Sequence, residues 1–170
     1  VGSHIAVQIG ESIDDVPEFG MGVVGRGIVK KVVGQGQVGS TEDLPIRTDN
    51  ASDCNIFLIK TPRKDGPTQY SLVHVWAGDL DLNLPGAKQK DIAALTNKES
   101  VAIGITGGRS ASITATAMDL KHEGITTVKH IHVPTDNRYV STVYRPETNE
   151  ILIRIGADVD ATEVWIYDGF

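Results

Sequence analysis

The chain has 170 residues, of which 40% are apolar, 22 are acidic and 16 are basic. This length suits a single domain, and the apolar fraction can build a core, which excludes a wholly disordered chain. The net charge of −6 argues against nucleic-acid binding, because binding to phosphates needs a basic surface. No apolar run is long enough to span a bilayer. The single cysteine excludes an internal disulfide.

Short runs rich in Val, Ile and Thr, bounded by Gly, Pro, Asn or Asp, predict a sheet-rich fold. The predicted strands cover residues 5–9, 21–33, 54–60, 70–77, 100–106, 125–133, 138–145, 150–155 and 163–167. Residues 145–149, which include Pro146, are typical of a hairpin turn. Apolar residues at helical spacing predict helices at 87–98 and 110–122, the second ended by Gly124. The pattern predicts one α+β domain.

A glycine-rich segment at residues 34–39 matches the GxGxxG pattern of dinucleotide-binding loops. In those proteins the pattern opens a helix that receives the pyrophosphate, whereas no helical pattern follows at residues 40–45. We therefore interpret the segment as a mobile loop. Three pairs of neighbouring aspartates could suggest acid–base catalysis, but nothing in the sequence indicates that the two carboxylates of a pair converge in one pocket. We interpret them as solvated charges in loops. They are Asp14 with Asp15, Asp79 with Asp81, and Asp158 with Asp160.

His130 and His132 lie two residues apart on a predicted strand and therefore share one face. Two imidazoles on one face could hold a metal, together with His122 or Asp136. Because Ile131 between them is apolar and predicted to face the core, we interpret the two histidines as residues of the outer, polar face. No motif with the spacing of a complete metal site accompanies them.

Cys54 opens one predicted strand, and His74 lies on the next. If residues 54–60 and 70–77 form a hairpin centred near Lys64, Cys54 is directly opposite His74. Directly opposed residues share a face, with Cβ atoms about 4.5–5.5 Å apart. A thiol and an imidazole at that separation can form the ion pair of cysteine catalysis. The alternative is a buried, inert cysteine that acts as a small apolar residue.

Polar residues directly upstream could complete such a site. Thr48, Asn50 or Ser52 could orient the imidazole or bind an oxyanion. Thr48, then Cys54 at the head of a strand, then His74 on the next strand resemble the chemotaxis receptor deamidase family CheD. Three later segments follow the order of that family: a strand that ends in Gly-Gly at 103–108, the E-G-I sequence at 123–125, and the hairpin at 143–154.

The CheD family shares its fold and its Cys–His pair with the catalytic domain of cytotoxic necrotizing factors, and both deamidate glutamine side chains of target proteins. The resemblance therefore implies an α+β fold, a mixed, mostly antiparallel β-sandwich with flanking helices. It implies no cofactor. By the same resemblance, Cys54 would be the nucleophile, His74 the base and Thr48 the third polar partner. Their position beside the cysteine makes Asn50, Ser52 and Asp53 candidates to support the oxyanion, together with backbone N–H groups near Cys54.

Ser52-Asp53 precedes the cysteine where CheD has Gly-Ser, and residues 1–47 form an expanded strand and loop region before a core at 48–155. We therefore expect one domain over 1–170 that is a divergent deamidase, such as the catalytic domain of a bacterial toxin or effector. It would act on a protein substrate in the cytoplasm or, after secretion, in the cytosol of a target cell. Three alternatives stay open: transglutamination by the same thioester, a non-catalytic protein-binding domain of this fold, and a metal hydrolase built on His130 and His132.

Overall fold

The computed structural model describes residues 4–6, 32–33, 36–51, 54–75, 89–106, 110–133, 140–155 and 163–170. The strands are β1 (His4–Ala6), β2 (Val32–Val33), β3 (Gln37–Thr41), β4 (Ile46–Ala51), β5 (Asn55–Thr61), β6 (Gln69–Val75), β7 (Val101–Thr106), β8 (Thr126–His132), β9 (Val140–Arg145), β10 (Glu150–Ile155) and β11 (Glu163–Asp168). The helices are α1 (Gln89–Leu95), between β6 and β7, and α2 (Ser110–His122), between β7 and β8.

The strands form two sheets. Sheet I has the order β1-β11-β10-β9-β4-β2, and sheet II has the order β3-β6-β5-β7-β8. Neighbouring strands are antiparallel except for β2 with β4 and β7 with β8, which are parallel. The predicted α+β class and the mostly antiparallel pairing are therefore confirmed.

Sheet II is the central layer, because it is buried on both faces. One face meets sheet I in a cluster that includes Ile56, Leu58 and Tyr144. The other face packs Phe57 and Ile59 against apolar residues of α1 and α2. Since both faces of β5 are covered, its central residues 56–59 form a continuous apolar run rather than an alternation of apolar and polar residues.

The end of α2 follows from the local sequence. Gly124 adopts a φ of 84°, which an L side chain would strain. The N–H of Gly124 donates to the carbonyl of Lys121, and the N–H of Ile125 donates to that of Leu120, both at 3.0 Å. This pair of bonds is a Schellman motif, and the predicted end of the helix is confirmed. The predicted hairpin at residues 145–149 also forms, because β9 pairs with β10 on either side of it.

Two predictions about local structure are wrong. The interpretation of residues 34–39 as a mobile loop fails because Gln37–Thr41 forms β3 and pairs with β6. Gly39 has a packing role there: a Cβ at this position would lie 2.6 Å from Cγ2 of Val33. The first predicted helix is too long at its C-terminal end, since α1 ends at Leu95.

Strands β2 and β3 lie before position 48, yet both are part of the sheets, with β2 on β4 and β3 on β6. Most of the predicted strand 21–33 lies outside the described residues, and so do the carboxylate pairs at 14–15, 79 and 81, and 158–160. In the described part of the chain, no helix has the length and apolar character needed to cross a membrane.

Candidate active site

A hydrogen bond between the two sheets fixes the imidazole of His74. Thr48 lies on β4 of sheet I and His74 on β6 of sheet II, and both are buried. The hydroxyl of Thr48 lies 2.6 Å from Nδ1 of His74 and donates its own proton to the carbonyl oxygen of Val33 at 2.7 Å. The structure therefore brings together two of the three residues predicted as catalytic.

The tautomer of His74 follows from these two bonds. A hydroxyl has one proton, and that of Thr48 is donated to Val33. Its lone pair is left to accept from Nδ1, which must then carry the ring proton of a neutral imidazole. Nε2 is then the basic nitrogen. It is buried and has no hydrogen-bond partner among the residues that the structure describes.

Cys54 lies on the same face of sheet II as His74. It directly precedes β5 and packs with Ile56 and Leu58 in the cluster between the sheets. The next residue, Asn55, points the other way, since its side-chain amide donates to the hydroxyl of Thr116 on α2 at 2.9 Å. Cys54 and His74 therefore both face sheet I.

The predicted register of the β5–β6 hairpin is wrong by two residues. Ile56, not Cys54, is directly opposite His74. The turn between the strands is less symmetric than predicted, since β5 continues to Thr61 and β6 begins at Gln69. Because side chains alternate with a period of two, a shift of two residues keeps Cys54 on the same face and makes it a diagonal neighbour of His74. Such neighbours have Cα atoms about 7–8 Å apart and Cβ atoms somewhat closer.

Burial controls the charge of His74. Desolvation lowers the pKa of His74 below its ordinary value of 6.5, and the nearby carboxylate of Asp49 opposes this shift. Asp49 is held by Arg47, whose guanidinium donates to Oδ2 at 2.9 Å and 3.1 Å. The lowered pKa favours a neutral imidazole at neutral pH, which can take a proton through Nε2. This favours transfer of the thiol proton during attack over the standing ion pair suggested by the sequence.

The other predicted supporting residues are only partly placed. Asn50 lies on β4, two residues after Thr48. Ser52 and Asp53 lie outside the described residues. The carbonyl of Val33, which accepts from Thr48, and Thr142 of β9, which is directly opposite Thr48, were not predicted to lie near the site. An available signal for Thr142 was its position between Val140 and Tyr144, apolar or aromatic residues at a strand period of two.

His130 and His132 lie apart from this site, on the edge strand β8. Both are exposed, whereas Ile131 between them is buried, so their predicted outer position is confirmed. His122, at the end of α2, is also exposed, and Asp136 lies outside the described residues. Within the part of the chain that the structure describes, no three His, Cys, Asp or Glu side chains are grouped to hold a metal.

The described site therefore consists of a buried imidazole with a fixed tautomer, the threonine that orients it, and a buried thiol on the same face. The chain matches no protein-family model, and no curated protein sequence matches it.

Proposed function

We propose that the chain is a cysteine hydrolase that deamidates glutamine side chains of a target protein. Cys54 is the nucleophile, His74 transfers the protons, and Thr48 is a positioning residue that sets the tautomer of His74. The observation that carries the proposal is the Thr48–His74 bond, which leaves Nε2 of His74 as the basic atom on the face that also holds Cys54. A core histidine with a purely structural role would also pair its buried Nε2, which here has no partner among the described residues.

In the first half of the reaction, Nε2 of His74 takes the proton of the Cys54 thiol. The sulfur attacks the carboxamide carbon of the substrate and forms a tetrahedral oxyanion. The C–N bond then breaks while His74 returns the proton to the nitrogen, and ammonia leaves. A thioester between Cys54 and the former glutamine side chain remains. Backbone N–H groups near Cys54 are candidates to stabilise the oxyanion.

In the second half, Nε2 of His74 takes a proton from water, and the resulting hydroxide attacks the thioester. The C–S bond breaks, the substrate carries glutamate in place of glutamine, and the proton returns to the sulfur of Cys54. No cofactor takes part in this sequence. An amine in place of water would give transglutamination through the same thioester, so the two products report which nucleophile is accepted.

The resemblance to CheD and to cytotoxic necrotizing factors supports this chemistry and a sandwich of that type. The same resemblance, with Ser52-Asp53 before the cysteine, supports a divergent member, such as the catalytic domain of a bacterial toxin or effector. Its protein substrate would be met in the cytoplasm or, after secretion, in the cytosol of a target cell.

The proposal is tested by incubating the chain with folded proteins of a cell lysate. Ammonia release and the mass increase that accompanies conversion of glutamine to glutamate are both followed. We expect one or a few proteins to be modified by the wild type and none by Cys54→Ser. A second arm adds a primary amine, whose incorporation would show transglutamination. Equal signals from wild type and Cys54→Ser would reject the cysteine mechanism.

Burial favours one competing function, a non-catalytic protein-binding domain. Cys54 is 5% exposed and His74 is 1% exposed, so a substrate must reach a covered thiol. Alkylation by iodoacetamide separates the two functions. A catalytic Cys54 reacts faster in the folded protein than a thiol without a neighbouring base, whereas an inert Cys54 reacts only when the protein unfolds.

A further inference from the structure

Thr142 is a buried threonine next to Thr48, and it has no role in the reaction proposed above. It lies on β9, directly opposite Thr48 on β4 and Ile153 on β10. Val140 and Tyr144, two residues to either side, belong to the cluster between the sheets. Because residues at a period of two share a face, Thr142 also faces sheet II.

The stacking of the sheets places Thr142 on the side of Thr48 where Cys54 lies. The Thr48–His74 bond joins β4 to β6, at one side of the sandwich. At the other side, Lys129 of β8 donates to the carbonyls of Asp168 and Gly169 at the end of β11. The series β4, β9, β10, β11 therefore lies over the series β6, β5, β7, β8. Thr142 of β9 accordingly lies on the β5 side of the Thr48–His74 pair, and Cys54 directly precedes β5.

Two polar atoms on this apolar interface have no described partner. Thr142 is fully buried, and its Oγ1 makes no hydrogen bond to any residue that the structure describes. The same holds for Nε2 of His74. A buried hydroxyl or ring nitrogen without a partner destabilises the folded protein, so such an atom in a native structure calls for an explanation. A bound group that both donates and accepts hydrogen bonds would satisfy both atoms.

We propose that Thr142 is a substrate-binding residue whose hydroxyl holds the primary carboxamide of the substrate glutamine. The hydroxyl accepts an N–H of the carboxamide, which turns the departing nitrogen toward Nε2 of His74. This inference rests on the proposed deamidase function. It adds a fourth side chain to the site. A hydroxyl can also donate to a carboxylate, so a role specific to the amide requires that Thr142→Val slow the reaction of an amide more than that of a carboxylate.

The test uses two thiol reagents that differ in this one group, iodoacetamide with a primary carboxamide and iodoacetate with a carboxylate. The ratio of their rates at Cys54 is measured by mass spectrometry for each variant, so that their intrinsic difference cancels. We expect Thr142→Val to lower the ratio by about fivefold, the loss of one hydrogen bond. Thr142→Ser, which keeps the hydroxyl, recovers most of the loss.

Ser71→Ala is the matched control. Ser71 is also fully buried with an Oγ that has no described partner. It lies on β6 three residues before His74, and therefore on the opposite face of sheet II. Its removal should leave the ratio of rates at the wild-type value. An equal loss in Ser71→Ala and Thr142→Val would show a general packing effect and overturn the inference.

The melting temperature Tm is a second readout. If Thr142 had a purely structural role, its replacement by valine would lower Tm. Because Thr142→Val removes a buried hydroxyl without a partner, we expect an unchanged or raised Tm together with the lowered ratio. A wild-type ratio in Thr142→Val would overturn the role of Thr142 and leave the deamidase proposal standing. Failure of the deamidase proposal is read separately, from the Cys54→Ser comparison of ammonia release.

Discussion

Thr48 of sheet I and His74 of sheet II are joined by a hydrogen bond of 2.6 Å, so the position of one sheet relative to the other sets the orientation of the imidazole. The bond continues to the carbonyl of Val33 on β2, which is parallel to β4. A short strand at the edge of sheet I is thereby connected to a proposed catalytic ring on sheet II. Gly39 of β3 permits this arrangement, since a Cβ there would collide with Val33.

Replacing Thr48 tests this connection. Thr48→Val keeps the shape of the side chain but removes the acceptor for Nδ1 of His74 and the donor for Val33. We expect activity to fall about tenfold or more, because the ring loses its fixed tautomer. Stability in urea should fall by about 1–3 kcal/mol, since a buried N–H and a carbonyl lose their partner. Thr48→Ser keeps the hydroxyl and serves as the control. Equal activity in Thr48→Val and wild type would contradict the positioning role.

The coupling between Cys54 and His74 predicts how the thiol reacts. His74→Gln removes the basic Nε2, so alkylation of Cys54 by iodoacetamide at neutral pH should become slower in the folded protein. The rate is followed by mass spectrometry over a range of pH, with the chain unfolded in urea as the reference for an isolated thiol. If both proteins are alkylated at the same rate at every pH, the two side chains are not coupled, and the non-catalytic binding domain is supported.

Acid should destabilise the fold through His74. Burial lowers the pKa of His74 in the folded protein below its unfolded value of 6.5. The unfolded chain then binds more protons at any pH between the two values, so the free energy of unfolding rises with pH across this window. The stability that the fold gains from a neutral His74 is fully present above pH 6.5 and is lost as the pH falls toward the lowered pKa. In His74→Gln the dependence of Tm on pH below 6.5 should be less steep. Parallel curves for the two proteins would show that His74 does not titrate in this way.

The exposed histidines of β8 distinguish the proposed cysteine hydrolase from a metal hydrolase. His130→Ala combined with His132→Ala should leave deamidation and Tm nearly unchanged, because both side chains are exposed and lie apart from the Thr48–His74 pair. Activity is measured with and without a chelator. A loss of activity in the double variant, or on chelation, would favour the metal hydrolase.

The end of α2 gives a prediction that concerns the fold alone. Gly124→Ala places a Cβ on a residue with a φ of 84°, which should cost about 1 kcal/mol of stability. Unfolding in urea measures this cost, and activity at temperatures well below Tm should be unchanged. Gly66→Ala is the control, because neither glycine has a neighbour that a Cβ would meet and, of the two, only Gly124 has a positive φ. A similar cost in both variants would indicate that the conformation of Gly124 is not the cause.

The sequence by itself determined the local elements whose signals lie in neighbouring residues. The Val- and Ile-rich runs, the turn after Arg145 and the helix stop at Gly124 all report short-range preferences of the backbone. Among the described residues, the strands at 55–60, 101–106, 140–145 and 150–155, the turn and the helix stop lie where they were predicted. The same alternation of side chains placed Cys54 and His74 on one face, although the register of the hairpin was wrong. Position along the chain also sufficed to put His130 and His132 on an outer face, since the apolar Ile131 between them had to be buried.

The tertiary structure decided which upstream polar residue contacts the imidazole of His74, since the residues alone left Thr48, Asn50 and Ser52 open. Residues 37–41 and 46–51 carry too few apolar residues to indicate a strand, and they form β3 and β4 because β6 and β9 offer backbone hydrogen bonds and a face to pack against. Only this pairing brings Thr48, and with it Thr142, to the inner face opposite His74. The sequence does not fix the contact between Thr48 and His74, because this contact depends on how two sheets stack and not on the preferences of any one segment.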